Sequence, residues 1–136
     1  MPPARAAFCL SVALALTPLA GCGGGDDAVR DRDNTLRLRL EEYRITPQDL
    51  RVREGRVHII ARNDGRLTHN VAVESFADSP ETDEVVEFGR TTTAHAGETV
   101  SEEAIVRLPP GKYRLVCTIS NHDNLGQYGT LFVSGR

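Results

Sequence analysis

From residue 36 onward the chain alternates apolar and polar positions in short runs. Leu36-Arg-Leu-Arg-Leu40 alternates without a break, which predicts a half-buried strand with Arg37 and Arg39 turned outward. Glu41 to Pro47 continues extended until Pro47, which lacks the N–H that regular pairing needs. Leu50-Arg-Val52 predicts a second short strand, and Glu54-Gly55 a turn. From Arg56 to Arg62, Val57, Ile59 and Ala61 share one face, with His58 and Ile60 on the other. Asn63-Asp-Gly65 marks a turn. His69, Val71 and Val73 then share a parity, which points the His69 imidazole at the apolar interior. Val85 to Phe88 fits either a strand or a turn of helix. Thr99 to Leu108 predicts a strand ending at Pro109-Pro110, and Gly111 permits the next turn. Tyr113 to Val116 and Thr130 to Val133 complete the set. No helical period and no internal repeat is present. The pattern predicts an all-β sandwich of seven to eight strands with Greek-key-type connections and an aliphatic core.

The first residues follow a different pattern. Met1-Pro-Pro-Ala-Arg5 is short and positive, and Ala6 to Ala20 is apolar but shorter than the roughly 20 residues of a membrane span. The run ends in Leu19-Ala-Gly-Cys22, which resembles the lipobox of bacterial lipoproteins. That resemblance implies cleavage of residues 1–21, a lipid on Cys22, and anchoring at the outer face of the cell membrane, on the periplasmic or extracellular side. The alternative is a secretory signal cut elsewhere, with Cys22 a plain thiol. Residues 22–35 combine glycine with alternating charge and read as a flexible tether; 36–136 read as one domain.

Charge and cysteine usage narrow the picture. Without the leader, 15 basic side chains face 19 acidic ones, a net charge of −4, which argues against nucleic-acid binding. Cys9 falls in the leader and Cys22 under the lipid, so Cys117 is the one thiol left and no disulfide is possible. A lone thiol in an oxidising compartment is either buried and inert or held as a thiolate.

Cys117 opens a polar loop that predicts the second outcome. Four residues separate Cys117 from His122, and four more separate His122 from Gln127. A loop held between two strands can fold a thiol, an imidazole and an amide around one point, and His69 adds a second imidazole from an earlier run. One cysteine and two histidines with a weak fourth donor form the ligand set of a blue-copper site. His58 and His95 match no ligand position and read as surface residues. Ser75 to Glu84 reads as an acidic solvated loop, or as a docking patch for a basic redox partner. Leu125, beside His122, is a candidate for an apolar approach surface.

At these residues the chain resembles the cupredoxins, the small copper-binding β-sandwiches. The resemblance rests on His69-Asn70, on Leu108-Pro-Pro-Gly-Lys-Tyr113 before the cysteine strand, on the loop from Cys117 to Gln127, and on Gly129-Thr-Leu-Phe-Val133. It implies a cupredoxin-like fold and one type 1 copper ion held by His69, Cys117 and His122. Gln127 stands where most members carry methionine, which is similar to the stellacyanin-like minority with an amide axial ligand. The resemblance also implies an Asn70–Thr118 hydrogen bond behind the ligands. The function implied is one-electron transfer by a membrane-tethered monomer that meets a redox partner protein. A copper carrier or scavenger outside the cytoplasm, and a metal-free interaction module, are the alternatives. An enzyme is not expected, because no nucleophile–base pair lies outside the site.

Overall fold

A computed structural model describes residues 28–30, 32–76 and 84–135, with 102–106 described by their backbone alone. Residues 1–21, Cys22 and the first part of the tether lie outside the described residues, as do 77–83 of the acidic loop.

Among the described residues, ten strands follow one another: β1 Val29–Arg30, β2 Thr35–Glu41, β3 Arg44–Thr46, β4 Asp49–Arg53, β5 Gly55–Asn63, β6 Ala72–Ser75, β7 Glu87–Arg90, β8 Thr99–Leu108, β9 Gly111–Val116 and β10 Tyr128–Ser134. They form a six-stranded sheet in the order β1-β4-β10-β9-β6-β7 and a four-stranded sheet in the order β3-β2-β5-β8. Strand β4 runs parallel to β10, and β2 parallel to β5, while β9 pairs antiparallel with both β10 and β6. The count exceeds seven or eight because β1 and β3 are two and three residues long, too short to show a period. Strand β1 falls inside the stretch read as tether and pairs with Leu50 and Arg51 of β4.

The alternation read from the sequence sets which side chains enter the core. In β2, Leu36, Leu38 and Leu40 are buried while Arg37 and Arg39 are exposed. In β5, Val57, Ile59 and Ala61 face inward. The opposing sheet answers with Leu50, Val52, Val73, Leu115, Leu131 and Val133. Tyr113 caps this core: its ring meets Phe88 edge-on with centroids 5.1 Å apart, and its hydroxyl donates to the Pro109 carbonyl at 2.8 Å. Burial raises the pKa of that phenol.

Strand β3 ends at Thr46, just before Pro47. The next residue, Gln48, offers its carbonyl to the Thr130 N–H at 2.8 Å, which ties the entry of β4 to β10. The approach needs a glycine beside it, since a Cβ on Gly129 would collide with that carbonyl. Among the described residues, no helix is long and apolar enough to cross a membrane.

Leu131 is fully buried between the sheets. Leu131→Ala should therefore lower unfolding stability by about 2–5 kcal/mol in chemical denaturation. A loss under about 0.5 kcal/mol, the usual size for a surface change, would contradict the inter-sheet position.

Candidate metal centre

Three neighbouring strands of the six-stranded sheet bring the chemistry to one end. Cys117 follows directly on β9, Gln127 directly precedes β10, and His69 lies three residues ahead of β6. The register sets this convergence: Val116 is flanked by Ala72 on one side and Tyr128 on the other. One step beyond, the Cys117 N–H donates to the Gln127 carbonyl at 3.1 Å and closes the loop that carries His122.

That loop is a series of tight turns. The His122 N–H donates to the Ile119 carbonyl at 2.9 Å, and the His122 carbonyl accepts from Leu125 and Gln127 at 3.1 and 3.0 Å. Ser120 and Asn121 adopt left-handed φ values of 48° and 58°, and Gly126 has φ 114°. An L side chain is strained at Gly126, and its Cβ would also come within 3.2 Å of the Tyr43 carbonyl.

His69 is placed differently from the strand its parity predicts. It is buried as expected, but β6 begins only at Ala72, and His69 forms an isolated bridge with Ala94. Between the bridge and β6 the pairing is mixed: the Thr91 N–H donates to the Val71 carbonyl at 2.9 Å, and the Val71 N–H donates to Thr91 Oγ1 at 3.1 Å. Asn63 holds the Ala94 side of the bridge. Its Nδ2 donates to the Ala94 carbonyl at 2.9 Å and to the Leu67 carbonyl at 2.7 Å. Asn63 read as a turn residue; its role in fixing the His69 backbone needed the tertiary partners.

His69, Cys117 and His122 come together, with their potential ligand atoms all within 4.8 Å of one another. Cys117 Sγ lies 3.9 Å from His69 Nδ1 and 3.7 Å from His122 Nδ1. Metal–ligand bonds of about 2.0–2.3 Å meeting at trigonal angles put sulfur and nitrogen about 3.8 Å apart, so the spacing fits a shared ion. His69 and Cys117 are fully buried, and His122 retains 6 % exposure. The Tyr43 ring stands edge-on to His122, with centroids 5.5 Å apart.

Gln127 is also fully buried. Its Nε2 donates to the Glu41 carbonyl at 2.8 Å and, more weakly, to the Arg44 carbonyl at 3.5 Å. Carbonyl oxygens only accept, so the NH2 group must face them and Oε1 must face away. That Oε1 is buried with no hydrogen-bond partner. An orphaned carbonyl oxygen costs about 1–3 kcal/mol, which contact with a cation would offset.

Asn70 and Thr118 are joined twice. Asn70 Nδ2 donates to Thr118 Oγ1 at 2.9 Å, and the Thr118 N–H donates to Asn70 Oδ1 at 2.9 Å. The residues next to His69 and Cys117 are thus pinned across the sheet.

Burial holds the His69 pKa below the ordinary imidazole value, and the nearby His122 ring pushes it down further. The Glu42 and Gln127 side chains oppose both effects. The net result favours the neutral ring, the form that binds metals. Glu42 was not legible from the sequence as a neighbour of the site. It lies in the turn between β2 and β3, and its Oε1 is 3.9 Å from His69 Nε2. Of the remaining histidines, His58 is half-buried and His95 exposed. Leu125 is 57 % exposed.

No family model matches the sequence, and a search of curated proteins finds no relative. Solved structures do match. A dithionite-reduced auracyanin from the photosynthetic bacterium Roseiflexus castenholzii aligns with a TM-score of 0.61 at 16 % identity, covering 76 % of this chain and 99 % of that one. Auracyanin A, a "blue" copper protein from the green thermophilic photosynthetic bacterium Chloroflexus aurantiacus, aligns with a TM-score of 0.60 at 20 % identity, covering 74 % and 98 %. A purple cupredoxin from Nitrosopumilus maritimus aligns with a TM-score of 0.52 at 16 % identity, covering 73 % and 99 %. Identities this low speak to architecture, and the architecture is a cupredoxin-like β-sandwich.

Proposed function

We propose that the protein is a type 1 copper protein that carries single electrons. The observation that carries this reading is the buried cluster of Cys117 Sγ, His69 Nδ1 and His122 Nδ1, all within 4.8 Å. A thiolate and two neutral imidazoles are soft-to-borderline donors suited to copper in both oxidation states. A structural zinc would ask for four strong ligands, and among the described residues three stand here. Bound copper would supply a one-electron couple. The chain's own contribution is rigidity: the Asn70–Thr118 pair, the Cys117–Gln127 backbone bond and the His69–Ala94 bridge fix the donors from three sides. Donors that do not move when the charge changes keep the barrier to electron transfer low.

Gln127 is assigned as the weak axial donor through Oε1, the oxygen that its anchored NH2 group turns away from Glu41. An oxygen donor favours Cu(II) more than a thioether does, so the potential sits lower than with methionine. Complete burial of His69 and Cys117 favours an ion retained through many cycles over one delivered as cargo. The reading is of a carrier and assigns no catalytic residue. Electrons pass at the His122 edge, where Leu125 and Tyr43 offer apolar surface to a redox partner protein. The export signal and Cys22 complete the reading: a lipid on Cys22 tethers a monomeric domain to the outer face of the membrane.

Adding Cu(II) to the purified protein should produce an intense visible thiolate-to-copper band, and Cys117→Ala should abolish it while leaving the far-UV spectrum unchanged. A band that survives in Cys117→Ala sinks the assignment. Gln127→Met should raise the reduction potential by about 59 mV, a tenfold shift toward Cu(I), in protein-film voltammetry; an unchanged potential removes Gln127 from the ligand set. In cell fractionation, Cys22→Ser should move the protein from membranes to the soluble exported fraction, and retention on membranes would refute the lipid anchor.

A further inference from the structure

The distal nitrogen of His69 has no place in the copper reading. His69 Nε2 is fully buried and lacks a hydrogen-bond partner. The charged group facing it is Glu42, whose Oε1 lies 3.9 Å away. At that distance the contact is electrostatic, longer than a hydrogen bond.

Glu42 is held in place from outside the ring. Its Oε1 accepts the backbone N–H groups of Arg66 and Leu67 at 2.5 and 2.8 Å. Both belong to the segment that leads directly into His69. Gly65 makes room for the carboxylate, since a Cβ there would come within 2.8 Å of Oε1 and 2.9 Å of Oε2. Two backbone N–H groups aimed at one carboxylate oxygen stabilise its ionised form. A fixed negative charge therefore stands opposite the ring nitrogen that points away from Cys117.

We propose that Glu42 is a positioning residue for His69: its carboxylate keeps the ring proton on Nε2 and so presents the Nδ1 lone pair to the metal. The inference rests on the copper reading for its redox part and on the fold alone for its tautomer part. An Nε2–H is attracted to the carboxylate, whereas an Nε2 lone pair is repelled by it. With the proton on Nε2, the lone pair sits on Nδ1, the atom 3.9 Å from Cys117 Sγ. A carboxylate behind a ligating imidazole also raises the basicity of that ligand. The same charge stabilises the more positive oxidation state of the metal. Glu42 and the Gln127 oxygen thus act in one direction, toward Cu(II).

Two variants separate this role from simple loop capping. Glu42→Gln keeps an oxygen able to accept from Arg66 and Leu67 but removes the charge; Glu42→Ala removes both. Nitrogen-15 NMR of the metal-free wild-type protein should show His69 as the Nε2–H tautomer, and Glu42→Ala should show a mixture. A wild-type ring protonated on Nδ1 overturns the proposal. In copper-loaded protein, Glu42→Gln should raise the potential by about 59 mV, corresponding to a tenfold loss of Cu(II) over Cu(I) affinity. Glu42→Gln with its visible band intact and its potential unchanged overturns the electrostatic role. If the wild-type protein forms no visible band with copper, the copper reading fails by itself, and the tautomer measurement still decides whether Glu42 orients the ring.

Discussion

The arrangement depends on one constraint: three soft donors must be held within a few ångströms of each other without water. Buried polar atoms are costly unless something satisfies them. Here Gln127 Oε1 is buried without a hydrogen bond at the end of the sandwich where the sulfur and the two imidazoles meet. A fold that keeps such atoms needs a compensating contact, and a cation shared by the donors is the simplest one.

The two sheets divide the labour. The six-stranded sheet supplies the donors, because β6, β9 and β10 are neighbours and approach the site at the same end. A slip of one residue between β9 and β6 would turn Cys117 away from His69, so the register is also the ligand geometry. The four-stranded sheet supplies the enclosure through the turn between β2 and β3. The Glu41 and Arg44 carbonyls orient the Gln127 amide, Tyr43 packs on His122, and Glu42 faces His69. One short turn thereby touches three of the four proposed ligands.

Much of this was legible in the sequence. The alternation at Leu36–Leu40 and Val57–Ala61 gave the inward faces of β2 and β5, because a period of two maps directly onto a pleated surface. The spacing of Cys117, His122 and Gln127 pointed to a loop folding on itself, and the backbone bond from Cys117 to Gln127 is the closure that spacing needs. What stayed hidden depends on partners far away in the chain. Asn63 looks like a turn former, and its tertiary role exists because Ala94 lies opposite. Glu42 looks like half of an acidic pair, and its place beside His69 follows from the backbone donors of Arg66 and Leu67. His69 looked like a strand residue because parity alone cannot distinguish a continuous ladder from the isolated backbone bridge to Ala94 that holds it.

X-ray absorption at the copper edge tests the central claim most directly, since it counts the atoms around the ion in solution. One sulfur and two nitrogen scatterers at short distance, with one weaker and longer oxygen, are expected around the ion, the same in number and nearly the same in distance in the oxidised and reduced protein. A first shell without sulfur, or one that gains or loses a ligand on reduction, would contradict it.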